Sequence, residues 1–304
     1  MAEFGFNDSA PATALRGVLR AHEPLSRHTS WRVGGPADRW YEPADLDDLA
    51  AFIASLPPAE PVTMIGLGSN LLVRDGGVRG TVIGLSQRLA SLKLMNPTLV
   101  RAEAGVASAK LARFSVNHGL HGAEFLAGVP GTIGGALAMN AGCHGSETWE
   151  IVAAVETLDR HGRMHTRTPE EYAIAYRSVS GPADECFVAA HFRLRTDSAD
   201  AGRERIRALL ARRGATQPTQ IPNAGSVFRN PPGDFAARLI ESAGLKDARE
   251  GGACVSTLHA NFIINTGTAS ATDIETLIAR VREQVRAVHG ITLEVEVRVI
   301  GEAP

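Results

Sequence analysis

Two glycine-rich stretches carry the residue pattern best suited to chemistry. Gly66-Leu67-Gly68-Ser69-Asn70-Leu71 follows a short apolar run, Val62–Ile65. Glycine allows close backbone approach and positive φ. Successive N–H groups in such a turn can form a nest for an anion, and Ser69 and Asn70 add side-chain donors. The second stretch is Gly131-Thr132-Ile133-Gly134-Gly135, preceded by Gly128 and followed by apolar residues 136–139 and by Asn140-Ala141-Gly142. It reads as a loop feeding a short helix whose N-terminus can receive a pyrophosphate. Two such loops are what a dinucleotide needs. The first lacks the third glycine of G-x-G-x-x-G, and the chain has no G-x-x-x-x-G-K-[ST], so neither standard nucleotide loop is present. An ordinary turn for the first loop and a close glycine helix contact for the second remain the structural alternatives.

Charged side chains could meet such a ligand from the C-terminal half. Ile291, Leu293, Val295, Val297 and Val299 alternate with Thr292, Glu294, Glu296 and Arg298. Strand side chains alternate between faces, so this run reads as a last strand with one face buried. Its other face carries two carboxylates and a guanidinium, either for chemistry or for solvation. Arg203, Arg205, Arg207, Arg212, Arg213, Arg229, Lys246 and Arg249 form a basic reservoir. Most fit a solvated helix face, with one or two left for an anionic ligand.

The elements that position these groups show in the hydrophobic periodicity. Residues 45–56 read as a helix with Leu46, Leu49, Phe52 and Ile53 on one face and Pro57-Pro58 as its stop. Short apolar runs at 62–65, 71–73, 81–85 and 99–102 read as strands. Ser108 is a candidate cap for a helix reaching Asn117. Residues 151–158 and 164–166 flank Asp159-Arg160-His161-Gly162 as a hairpin, and residues 187–194 form another strand. Thr168-Pro169-Glu170-Glu171 reads as a helix start. A compositional shift at Thr196-Asp197-Ser198 marks a domain boundary, followed by a basic helix at 203–213. Asp234 is a candidate cap for a helix ending at Gly244. The clearest helix covers 273–289, with Ile274, Leu277, Ile278, Val281, Val285 and Val288 as its stripe and Gly290 as its stop. The pattern is α+β.

Composition narrows the function classes. The 304 residues suffice for two or three domains. A formal net charge of −2 gives no basic field for nucleic acid. Cys143, Cys186 and Cys254 have neither zinc-site nor disulfide-framework spacing, which implies a reducing compartment and no metal. The first residues lack a basic start followed by an apolar stretch, and no apolar run is long enough to span a membrane.

Several motifs, met in order along the chain, resemble the UDP-N-acetylenolpyruvoylglucosamine reductase (MurB) family. They are Thr29-Ser30-Trp31-Arg32-Val33-Gly34-Gly35-Pro36-Ala37-Asp38, residues 66–72 and residues 125–142. Tyr176-Arg177-Ser178, Ala224-Gly225-Ser226-Val227-Phe228-Arg229-Asn230-Pro231, His259-Ala260-Asn261-Phe262 and residues 293–298 follow. The short spacing from Tyr176 to Phe187 resembles the family's shorter subclass, which lacks an inserted substrate-covering segment. Arg229 stands where a lysine is frequent, and Leu258 precedes His259 where a lysine is common.

The resemblance implies a vanillyl-alcohol-oxidase-type FAD-binding fold in two subdomains, residues 1–84 and 85–196, followed by an α+β substrate-binding domain, residues 197–304. It implies non-covalent FAD, NADPH as hydride donor, and UDP-N-acetylglucosamine enolpyruvate as acceptor, in a cytoplasmic monomer. The cofactor residues it implies are Gly66, Gly68, Ser69, Asn70, Leu71, Gly131, Thr132, Gly134, Gly135, Asn140, Ala141 and Gly142. It implies Arg177 as electrostatic stabiliser, Ser226 as proton donor and Glu296 as the catalytic glutamate. Tyr176, Arg229, Asn230 and His259 are substrate-binding candidates. Taken as residues alone, Arg177 fits a structural ion pair, Ser226 a turn, and Glu296 a solvent-facing row with Glu294 and Arg298. Another FAD-linked sugar or alcohol oxidoreductase of this fold, or a non-catalytic nucleotide-sugar binding protein, are the competing functions.

Overall fold

A computed structural model describes residues 15–304; residues 1–14, including most of the start read above as leaderless, lie outside the described residues. The first sheet has four strands. Val18–Pro24 (β1) pairs antiparallel with Pro36–Glu42 (β2), which runs parallel to Val78–Gly84, itself parallel to Val62–Ile65. Helix Leu46–Ser55 (α1) crosses between them, with Asp45 accepting from Asp48 N–H at 3.0 Å as its cap. Leu49, Phe52 and Ile53 are buried, as the periodicity requires.

The second sheet is wholly antiparallel, in the order Met164–Arg167, Val152–Leu158, Cys186–Arg193, Leu99–Glu103, Leu92–Asn96. Helices Ser108–Asn117 (α2) and Ile133–Met139 (α3) pack here; Val100, Leu111, Leu126, Ile133, Leu137 and Phe192 are fully buried in the shared core.

After Ala199–Thr216 (α4), the chain forms helix Ala236–Ser242 (α5), a small sheet of Arg249–Glu250, Ala253–Val255 and Ile263–Asn265, and helix Ala271–His289 (α6). Ser270 and Asp273 form a reciprocal capping box on α6, and Gly290 at φ 70° closes it. Trp31, Val33 and Leu72 share this last core with Ile274, Leu277 and Val281. The Trp31 indole N–H donates to the Ile263 carbonyl at 2.7 Å. Strand Arg298–Ile300 then lies parallel to Leu71–Val73, so the chain's end returns to the first glycine loop.

Several local expectations need correction. Residues 291–297 keep the alternating burial, with Leu293 and Val297 inside, yet only Arg298–Ile300 is regular strand. A ladder needs a neighbour along its length, and upstream the segment has only a short partner at Val227–Arg229. Ser108 does not cap α2; Ala107 occupies that position, and the Ser108 hydroxyl is buried without a partner among the described residues. Asp234 does not cap α5 either, since Phe235 precedes the helix and Asp234 pairs with Arg238. Residues Pro169–Glu171 make only a 3-10 turn, closed by a Thr168–Glu171 capping box. Val288 is half exposed at the C-terminal end of its stripe.

Candidate active site

A cleft of about 270 Å³ opens where the two glycine loops meet the C-terminal segments. Gly66, Gly68, Ser69, Asn70 and Leu71 line it from the first loop, and Gly131, Thr132, Gly135, Ala141 and Gly142 from the second. Arg177, Ser226 and Glu296 line it as well, from segments far apart in sequence.

The two loops approach each other closely. A Cβ on Gly66 would collide with the Thr132 hydroxyl, and one on Gly131 would sit 2.8 Å from the Ser69 hydroxyl. Gly131 also takes φ 118°, which side chains rarely adopt. Asn70 ties the first loop to the segment that carries Glu296: its amide donates to the Glu296 carbonyl at 3.2 Å, and its own carbonyl accepts from Arg298 N–H at 3.0 Å.

Arg177 occupies the two-residue turn between Ala173–Ala175 and Ser178–Ser180, at φ 54°. Its guanidinium donates to Glu296 Oε1 at 3.1 Å, to the Asn140 carbonyl at 3.2 Å and to the Gly142 carbonyl at 2.7 Å. Burial pushes the Glu296 carboxyl above its ordinary value, with Arg177 pulling the other way. Glu296 is therefore not part of a solvent-facing row: Glu294 is exposed, whereas the Glu296 side chain is only 14% exposed.

The donor set fits a dinucleotide with a pyrophosphate. Among the described residues, Glu296 is the only carboxylate lining the cleft, against the guanidinium groups of Arg177, Arg213 and Arg298. At the start of α3, two of the expected donors are already engaged. The Ile133 and Gly134 N–H groups at the start of α3 donate to the Val106 and Ala104 carbonyls at 2.8 and 2.9 Å, so they are not free for a phosphate.

Two models of known families match the chain. The FAD binding domain model covers residues 37–168, and the C-terminal domain model of UDP-N-acetylenolpyruvoylglucosamine reductase covers residues 217–300. The UDP-N-acetylenolpyruvoylglucosamine reductase of Methylococcus capsulatus is 59% identical over 97% of this chain and 98% of its own length. This chain belongs to the UDP-N-acetylenolpyruvoylglucosamine reductase family. The reductase of Thiobacillus denitrificans is 56% identical over 96% of this chain and 94% of its own. The crystal structure of the Thermus caldophilus reductase superposes with a TM-score of 0.81 at 33% identity, covering 93% of this chain and 98% of that one. The two-part FAD-binding fold with its α+β C-terminal domain is thus the architecture of this reductase.

Not every expected site residue reaches the cleft of this reductase family member. Gly134 packs against Ala104, where a Cβ would find the Ala104 methyl at 3.0 Å. Asn140 is 2% exposed and lies behind the lining. Asn230 uses its side-chain oxygen to accept from Ala236 N–H, at the start of α5. His259 accepts from Asn261 N–H and packs edge-on against Phe262, with burial lowering its pKa. Tyr176 is exposed beside the cleft, its ring centroid 5.0 Å from the Arg177 guanidinium carbon. Arg229 bridges the Arg177 carbonyl at 3.2 Å and Glu294 at 3.3 Å.

Conversely, Arg213, Gln217, Phe262 and Arg298 line the cleft without having been singled out as site residues. Arg213 donates to the Gly128 carbonyl at 2.7 Å and to Gln217 at 3.0 Å. Within the basic helix nothing in sequence separates it from its solvated neighbours. Arg298 had a signal: it shares the alternating face of Glu296.

Proposed function

We infer that this protein reduces the enolpyruvyl double bond of UDP-N-acetylglucosamine enolpyruvate to give UDP-N-acetylmuramate. NADPH is the electron source, FAD the cofactor, and peptidoglycan precursor synthesis the setting. The observation that carries this is the convergence of Arg177, Ser226 and Glu296 on one cleft bounded by both glycine loops. We propose that Gly66, Gly68, Ser69, Asn70, Leu71, Gly131, Thr132, Gly135, Ala141 and Gly142 hold FAD. We propose a monomer. No helix among the described residues is long and apolar enough to cross a membrane, and we propose a cytoplasmic location.

FAD held by these loops would supply the two-electron hydride chemistry that links NADPH to the β-carbon of the enolpyruvyl group. Negative charge then spreads toward the substrate carboxylate. Arg177 stabilises it in this reading, because a guanidinium keeps its charge and can grip a carboxylate with two N–H groups. Its contacts with Asn140 and Gly142 fix the guanidinium before substrate arrives, which lowers the reorganisation needed in the transition state. Glu296, with its pKa raised by burial, can share a proton with the substrate carboxylate. The Ser226 hydroxyl delivers a proton to the α-carbon, completing the reduced ether.

The test is an anaerobic visible spectrum. Flavin that bleaches with NADPH and regains its colour only on addition of UDP-N-acetylglucosamine enolpyruvate supports both half-reactions. Flavin that bleaches but ignores the sugar nucleotide points to another oxidoreductase of this fold. Folded protein that binds no FAD overturns the reading.

A further inference from the structure

Arg177 sits in a backbone conformation that its side chain does not favour, φ 54° in a two-residue turn. Such a turn holds its geometry only if the surroundings over-determine it. The surroundings come mainly from one loop, residues 140–147. Asn140 has a left-handed backbone at φ 42° that ends α3 and turns its carbonyl toward the Arg177 guanidinium, which donates to it at 3.2 Å. The Asn140 amide nitrogen donates to Glu147 Oε2 at 2.7 Å and to the Ala175 carbonyl at 3.3 Å. Its amide oxygen accepts from Trp149 N–H at 3.2 Å. One buried side chain thus joins the loop, the hairpin strand that leads into Arg177, and Glu147. The second Glu147 oxygen lies 3.9 Å from the Arg177 guanidinium, on the side away from the Glu296 contact.

We propose that Asn140 and Glu147 are positioning residues for Arg177. They hold the guanidinium at the substrate-carboxylate end of the cleft without touching substrate or cofactor. This rests on the role given to Arg177 above. Asn140 is buried behind the lining and all its polar groups are engaged within the protein, so it acts through Arg177 and not on the flavin. Misplacing one reacting partner by about an ångström can cost on the order of a hundredfold in rate, and here the cost falls on one half-reaction only. Hydride transfer from NADPH to flavin does not develop charge at the Arg177 guanidinium; reduction of the enolpyruvyl group does.

The test measures both half-reactions of the flavin-loaded protein anaerobically in Asn140→Asp, Glu147→Ala and Glu147→Gln, with Arg177→Lys alongside. Aspartate tolerates the left-handed backbone at 140 but cannot donate to Glu147. In Asn140→Asp and Glu147→Ala, flavin reduction by NADPH stays within about twofold, while re-oxidation by UDP-N-acetylglucosamine enolpyruvate slows about tenfold or more. Glu147→Gln keeps an acceptor for the Asn140 amide and recovers most of the rate lost in Glu147→Ala. Equal slowing of both half-reactions, or wild-type re-oxidation in both Asn140→Asp and Glu147→Ala, overturns the proposal. Glu147 is partly exposed, so its variants decide the matter if Asn140→Asp does not fold. If Arg177→Lys itself re-oxidises at the wild-type rate, the role of Arg177 fails first; if only Arg177→Lys is slow, the positioning inference alone fails.

Discussion

The backbone N–H of Glu296 donates to the carbonyl of Val227, the residue directly after Ser226, at 2.8 Å. The same Val227 donates its own N–H to the Asn261 carbonyl at 2.9 Å. Asn261 then reads both backbone groups of Phe228 with its side-chain amide, accepting at 3.0 Å and donating at 2.8 Å. The proposed proton donor and the proposed acid are therefore carried on two backbones hydrogen-bonded to each other, with buried Asn261 fixing the register. Neither can shift along the cleft without the other.

Replacing Ser226 by alanine separates proton delivery from hydride transfer. Flavin reduction by NADPH is expected to remain within about twofold, while turnover falls by two to four orders of magnitude, roughly the contribution of a lost acid–base group. Stopped-flow absorbance of each half-reaction checks this; unchanged turnover removes Ser226 from the mechanism.

The raised Glu296 pKa has a consequence for stability. A carboxyl whose folded pKa lies above its unfolded value contributes stability that is fully present below the unfolded pKa and lost as pH rises through the folded one. Glu296→Gln removes that loss. Its Tm relative to wild type is therefore expected to rise with pH from about 4.3, the ordinary glutamate value, upward. A Tm difference that is flat or falls over that range contradicts the burial effect.

Gly131→Ala tests the cradle. The new methyl would lie 2.8 Å from the Ser69 hydroxyl, on a backbone at φ 118°. Strain of about 1–3 kcal/mol placed at the loop corresponds to roughly a fivefold to hundredfold loss of FAD affinity. Flavin retained after dialysis, together with the Tm shift on adding FAD, measures it. Full flavin retention would mean that this loop does not carry the cofactor.

Asp75 ties the first unit to the last. Its carboxylate accepts from the Ala271 and Thr272 N–H groups at the start of α6 at 3.0 and 2.9 Å, and from the Thr272 hydroxyl at 2.7 Å. Asp75→Ala is expected to cost about 1–2 kcal/mol of stability, as for a lost helix cap, with turnover per bound flavin unchanged. Urea unfolding and a flavin-normalised rate check both parts.

Local chemistry made much of this protein legible from its residues alone. Asp45 starts α1, Gly290 ends α6, and the apolar stripes of both helices are buried except at Leu46 and Val288, because capping and periodicity act within a few residues. The glycine loops were recognisable because close approach and positive φ restrict the residue type, as at Gly66 and Gly131. The alternation at 291–299 identified Leu293 and Val297 as core-facing and put Glu294, Glu296 and Arg298 on the other face. Only the tertiary structure decided which of them form a site. It separated Glu296 from Glu294 by burial and brought Arg177 to within 3.1 Å of a residue 119 positions away. It took Gly134 and Asn140 out of the cleft lining and selected Arg213 from a helix of similar arginines. The physical reason is that desolvation and charge pairing depend on distances between segments remote in sequence. Spacing along the chain specifies an element and its faces, whereas the partner that each face meets is set only when the whole chain packs.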